Sequence, residues 1–243
     1  MPVISFANPK GGSGKTTLAM VLAQEYASQG LKVGVIDADP NAIIAKWAAH
    51  RREEGRALPF DVVERPQEAT MVSTITEMSK THQFLLVDLE GTASRMMSRA
   101  FSRSNLVLVP LNPSPVDAAL AAEAVRLVHE ESEALQREIP YRLVYSRNNA
   151  AIATKSFKRI SSAIESAELP TLPVGLVERA AYRDIFDFNA TLEELTPAET
   201  SGLAQAKENA FAVAQAVIDV LKELSNPPPR VEHAAPAADG VAK

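Results

Sequence analysis

Short apolar runs alternate along the chain with longer segments of helical period. The runs fall at residues 3–7, 33–36, 60–63, 84–87, 106–109, 141–145 and 172–177. They are nearly continuous in apolar residues, as expected of strands covered on both faces. Helical spacing occupies about 15–29, 41–53, 68–80, 93–102, 116–135 and 155–167. A last helix is expected over about 201–224, with Leu203, Ala206, Ala210, Val213, Val217, Val220, Leu221 and Leu224 along one broad face. Repeated strand-then-helix order predicts a doubly wound α/β domain with a mainly parallel sheet flanked by helices.

Local punctuation agrees. Gly30 stands where a helix C′ glycine belongs, and Asp39-Pro40 and Ser114-Pro115 each read as an N-cap followed by proline at N1. Trp47, beside Ile43 and Ile44, reads as core. From 226 to 243 the chain turns to Pro227, Pro228, Pro229 and Pro236 among Ala, Gly and charged residues, which predicts a disordered tail after a domain of residues 1–225.

Composition narrows the function classes. The hydrophobic fraction of 46% supports a sizeable core, and a formal net charge of −5 confines any nucleic-acid contact to local basic patches. There is no cysteine, which excludes disulfides, thiolate metal sites and iron–sulfur clusters. The first residues lack the basic start of a signal peptide. No apolar run approaches the roughly 20 residues that a membrane helix needs. A soluble, cytoplasmic protein without membrane contact is expected. His50, His82, His129 and His233 are scattered without metal-ligand spacing.

The chemistry concentrates near the start. Residues 8–17 read Asn-Pro-Lys-Gly-Gly-Ser-Gly-Lys-Thr-Thr, between the first strand and the first helix. That is the setting of a phosphate loop. Gly11, Gly12 and Gly14 let backbone N–H groups turn inward around phosphate oxygens, with Ser13 between them. The following helix adds the positive end of its dipole. Lys15 can reach the β- and γ-phosphates of a bound nucleotide, Thr16 can offer its hydroxyl to magnesium, and Thr17 can bond the α-phosphate. The usual pattern begins with Gly five places before Gly14, where this chain has Pro9, followed by Lys10.

Carboxylates stand at the matching strand ends. Asp37 and Asp39 close the second strand and Asp88 closes the fourth. In a parallel sheet these ends share one edge, where ligands bind. Asp37, Asp39 and Asp88 are thus candidate magnesium-associated groups, with Asp39 also a candidate for orienting the attacking water. Glu90 lies close to Asp88 and reads equally as a loop carboxylate.

Lys10 with the glycine loop, Asp37-x-Asp39-Pro40 and the apolar strand ending in Asp88 resemble the ParA/MinD family of deviant Walker A P-loop ATPases. Residues 107–115 and Arg-Ala-Ala-Tyr-Arg-Asp at 179–184 resemble later segments of ParA-like members. The resemblance implies an ATPase that uses ATP and Mg2+. Lys10 becomes the signature lysine, which reaches across an ATP-dependent homodimer to the partner's nucleotide. Asp39 matches the carboxylate that handles water, and Asp88 the Walker B acid. The absence of cysteines, of a basic amphipathic end and of a DNA-reading region before residue 3 leaves a small ParA-like positioning protein. Such proteins bind DNA non-specifically over the nucleoid and are stimulated by a cargo-bound, ParB-like partner. A recruitment factor for a conjugative DNA-transfer apparatus is the alternative, and a metabolic P-loop ligase a third reading.

A DNA surface calls for clustered cations. Lys155, Lys158 and Arg159 share one helix, with Phe157, Ile160 and Ile164 for its buried side and Arg147 nearby in sequence. Arg95, Arg99 and Arg103, spaced four apart, form a second cluster that also suits a dimer interface.

Overall fold

The computed structural model describes residues 1–91, 94–148 and 155–226. Residues 227–243 of the expected tail lie outside the described residues, as does residue 93, the first of the expected fourth helix.

Seven strands form one sheet: β1 (Val3–Phe6), β2 (Val33–Asp37), β3 (Asp61–Glu64), β4 (Phe84–Asp88), β5 (Leu106–Leu111), β6 (Tyr141–Asn148) and β7 (Leu176–Val177). Their order is β3-β2-β4-β1-β5-β6-β7, and every pairing among the described residues is parallel. The central strands β1, β2 and β5 are buried along their whole length, which is why they read as unbroken apolar runs.

The helices are α1 (Lys15–Ser28), α2 (Ile43–Glu53), α3 (Met71–Ser79), α4 (Arg95–Phe101), α5 (Pro115–Leu135), α6 (Lys155–Ser166), α7 (Ala181–Asp187) and α8 (Leu203–Ser225). Two cores result, one on each sheet face. Leu18 and Leu22 of α1, Trp47 of α2, Ile185 of α7 and Val213 and Val217 of α8 pack together on one side. Met71 and Ile75 of α3, Phe101 of α4, Val128 of α5 and Ile160 of α6 fill the other. Each such side chain contributes about 1.5–3 kcal/mol relative to exposure.

Several boundaries differ from expectation. Asp39-Pro40 does not begin α2. The Asp39 carboxylate accepts the Asn41 N–H at 2.8 Å in a local turn, and Ala42, at φ +48°, precedes the helix. Asp37 accepts the Ala45 N–H of the first turn instead, at 2.9 Å. Ser114 does cap α5, accepting from Asp117 N–H with Pro115 at N1, and Gly30 takes its left-handed position at φ +80°. The expected seventh strand narrows to Leu176–Val177 plus one bridge from Thr171 to Leu143. Pro173, which has no N–H to donate, lies between them. Helix α7 was unforeseen, because seven residues present fewer than two full turns of apolar period.

Beta-1 lies between β4 and β5, at the point where the strand order reverses direction. The crevice beyond the carboxyl ends of these strands is where an open α/β sheet binds its ligand.

Candidate functional site: a phosphate cradle at the carboxyl edge

The loop from Asn8 to Gly14 leaves β1 and enters α1. Gly12 (φ +76°) and Gly14 (φ +101°) hold left-handed backbone that side chains resist. A Cβ at Gly14 would also stand 2.2 Å from the Ser146 hydroxyl of β6. Gly11 and Gly12 face open space. Helix α1 has neither a side-chain cap nor an acidic residue in its first turn. Its first amides and dipole end are thus presented uncapped, as an anion site requires.

Lys15 is 5% exposed. Its ammonium donates to the carbonyls of Asn8 and Lys10, both at 3.2 Å, and so lies folded over the loop. Burial lowers its pKa, against the attraction of Asp88 and Asp39. Thr16 donates to one Asp88 oxygen at 2.7 Å. Asp88 is fully buried, and burial raises its pKa to about 7, with Asp37 and Asp39 adding to the rise. Asp37 stands opposite Asp88 in the β2–β4 register, and burial raises its pKa too.

Lys10 does not face the loop. Its ammonium pairs with Asp117 of α5 at 2.9 Å, where Asp117 is 3% exposed and the lysine side chain 35%. Asp117 also accepts from Ser114 and, at 3.2 Å, from Asn112. Burial pushes the Asp117 pKa up, but the bonds from Ser114, Lys10 and Asn112 win and hold it below the usual carboxylate range.

Some buried side-chain atoms have no hydrogen-bond partner. Among the described residues they belong to Ser13, Asp37, Asp88, Asn112, Arg179 and Thr200. All but Thr200 stand at this edge. An orphaned buried polar atom costs about 1–3 kcal/mol, and a bound polar ligand at this edge would satisfy such a cluster. No group of three or more His, Asp or Glu among the described residues forms a metal cage. A magnesium ion held by Thr16, Asp88, nucleotide phosphates and water fits that donor set.

Arg147 is not simply an outlier of the α6 cluster. At φ +52° it lines a pocket of about 170 Å³ with Gly14, Thr17, Ser146, Arg179 and Tyr182, beside the phosphate loop. Asn8 and Arg179 stood inside motifs read from the sequence but had no role of their own there, and neither did Asp117 or Gly91. A Cβ on Gly91 would approach the Gly11 amide to 3.1 Å. Asp117 did carry a signal, since it stands three residues after the N-cap Ser114, as in a capping box.

The family model described as VirC1 protein matches residues 1–224. The chain belongs to this VirC1 family, within the ParA/MinD group. It is 37% identical over 224 residues to Protein ParA of Rhizobium radiobacter, covering 92% of this chain and 99% of that protein. It is 29% identical over 184 residues to Protein virC1 of the same organism, covering 75% and 79%. A solved McdA–ATP complex from Cyanothece superposes with a TM-score of 0.71 at 15% identity, over 89% of this chain and 96% of that one, a likeness that shows the fold. Members of the ParA/MinD family are ATPases.

On this ParA/MinD framework the α6 cations stand outward. Lys155, Lys158 and Arg159 are exposed, and no described carboxylate is within ion-pair distance of them. Phe157 packs its ring on Tyr145 at 5.3 Å, and Ile160 and Ile164 are buried. In the other basic cluster, Arg99 is engaged by Glu68 at 3.4 Å. No described helix is long and apolar enough to cross a membrane.

Proposed function

We propose that this chain is an ATP- and magnesium-dependent dimerising ATPase that binds DNA non-specifically and positions a cargo with a stimulating partner protein. One observation carries the reading: Lys15 is buried at an uncapped helix start with no carboxylate paired to it, so the cradle is built for an anion. Gly11 to Thr17 would wrap the phosphates, and Thr16, Asp37, Asp39 and Asp88 would stand around the metal. Asp39, half-buried at the same edge, is the carboxylate for orienting water. Lys10, whose side chain is 35% exposed, would leave Asp117 to reach the nucleotide of a neighbouring subunit. The protein would be cytoplasmic and nucleoid-associated in its ATP state.

Size-exclusion chromatography with light scattering tests this, in apo, ADP and ATP–Mg states. The wild type should form a dimer only with ATP, and Lys10→Ala should remain a monomer. A nucleotide-independent oligomer insensitive to Lys10→Ala would remove the positioning mechanism. DNA contact is tested by reversing Lys155, Lys158 and Arg159 to Glu. Retention on DNA should fall and lose salt dependence while ATP affinity holds, because each neutralised phosphate contributes about 0.9 to the salt slope.

The match to the VirC1 model favours a second reading, a nucleotide-dependent recruitment factor for a conjugative DNA-transfer apparatus. Stable ATP binding with partner docking and negligible turnover would select it.

A further inference from the structure

Proline at position 9 creates a gap in the sheet. Beta-1 pairs with β5, and beyond the strand Ala7 N–H still donates to Leu108 C=O at 3.0 Å. Parallel ladders repeat their bonds every second residue, so the next donor is residue 9 and the next acceptor is Pro110 C=O. Pro9 has no N–H to give. The Asn8 side chain fills the vacancy: its Nδ2 donates to Pro110 C=O at 2.7 Å. Asn8 is fully buried, 102 residues from that partner.

The same side chain faces the loop with its other end. Its Oδ1 accepts the Lys10 N–H at 2.9 Å, and its backbone carbonyl accepts the Lys15 ammonium at 3.2 Å. Pro110 is followed by Leu111 and then by Asn112, which with Ser114 holds the Asp117 carboxylate that pairs with Lys10. One amide thereby ties the root of the phosphate loop to the strand end from which the partner of Lys10 departs.

We propose that Asn8 is a positioning residue for the nucleotide site, using one end of its amide to replace the donor missing at Pro9 and the other to set the backbone that aims Lys10 and Lys15. This rests on reading the loop as the nucleotide site. The two ends of the amide have separate duties, so they are separately replaceable. Pro9→Ala restores a backbone N–H opposite Pro110 C=O. Asn8→Ser keeps an acceptor for the N–H two residues on, a bond serine makes locally, but has no reach to Pro110.

The test uses the full chain in two measurements: affinity for a fluorescent ATP analogue with Mg2+, and denaturant stability without nucleotide. Asn8→Ala should lose both, with affinity falling about tenfold as the Lys10 N–H loses its acceptor. Adding Pro9→Ala to Asn8→Ala should recover stability but not affinity. Asn8→Ser should recover affinity but not stability. Asn8→Ala with wild-type affinity and only reduced stability would make the residue a plain strut and overturn the proposal. If Asn8→Ala fails to fold, Asn8→Ser with and without Pro9→Ala carries the test, and weak ATP binding by both would equally overturn it. Wild type that binds no ATP would instead sink the reading of the loop itself.

Discussion

Two buried cations, Lys15 and Arg51, are treated oppositely by this fold. Arg51 of α2 is 2% exposed. Its guanidinium takes both oxygens of Glu194 at 2.6 and 2.8 Å, the carbonyls of Asn189 and Ala57 at 2.8 Å each, and stacks over Trp47 at 5.0 Å. Trp47 in turn donates to Ile185 C=O at 3.0 Å. That hub pins α2 to the segments around α7, and the guanidinium is saturated. Lys15 is 5% exposed and has two long carbonyl contacts, with no described carboxylate within ion-pair distance. A charge that is buried and fully paired holds structure together. On the function proposed above, the charge left without an ion-pair partner is kept for a ligand, which would relieve its desolvation.

The largest expected effect breaks this contrast at its sharper end. Lys15→Ala should weaken ATP binding about a hundredfold, the worth of a strong charge-assisted contact. It should leave the apo protein as stable as wild type or more so, because an unmatched buried cation has been removed. A nucleotide titration beside a denaturation curve decides it. A destabilised apo protein would show that Lys15 is structural after all.

Arg51→Ala should do the reverse. Removing one partner of a buried pair costs about 3–5 kcal/mol, and the low end applies because the Glu194 side chain is 39% exposed. ATP affinity should stay within about twofold of wild type, since no described contact links the hub to the phosphate loop. Equal stability of Arg51→Ala and wild type would dissolve the comparison.

What the sequence let one read follows from range. The strands were legible because β1, β2 and β5 are covered on both faces, and the phosphate loop because its geometry is local and glycine-driven. The partners that give the loop its direction were not. Asp117 lies 107 residues from Lys10, and Glu194 lies 143 from Arg51. No spacing rule connects such pairs. Asp39 misled differently: Asp-Pro is a sound N-cap pattern, but the chain turns once more at Ala42 before α2 begins, and Asp37 reaches forward to cap it. Pro9 looked like a departure from the loop motif, and its consequence became visible only with Pro110 beside it.

The smallest effect sharpens the contrast through pH. Hydrogen bonds from Arg51 lead in lowering the Glu194 pKa from 4.5 to about 2, helped by the Thr191 N–H and by Arg56. The unfolded carboxyl takes its proton near 4.5, the folded one only near 2. Between those values the unfolded state binds more protons, so stability falls as pH drops through that window and is complete above it. Glu194→Gln should flatten this part of the stability curve, and Arg51→Ala should flatten it as well, because the lowered pKa is mainly the arginine's doing. Denaturant midpoints measured between pH 5 and pH 2.5 on the three proteins check this. A slope that survives in Glu194→Gln would place the acid-sensitive contact in another carboxylate, with Asp117, held low by Ser114, Lys10 and Asn112, the next to replace.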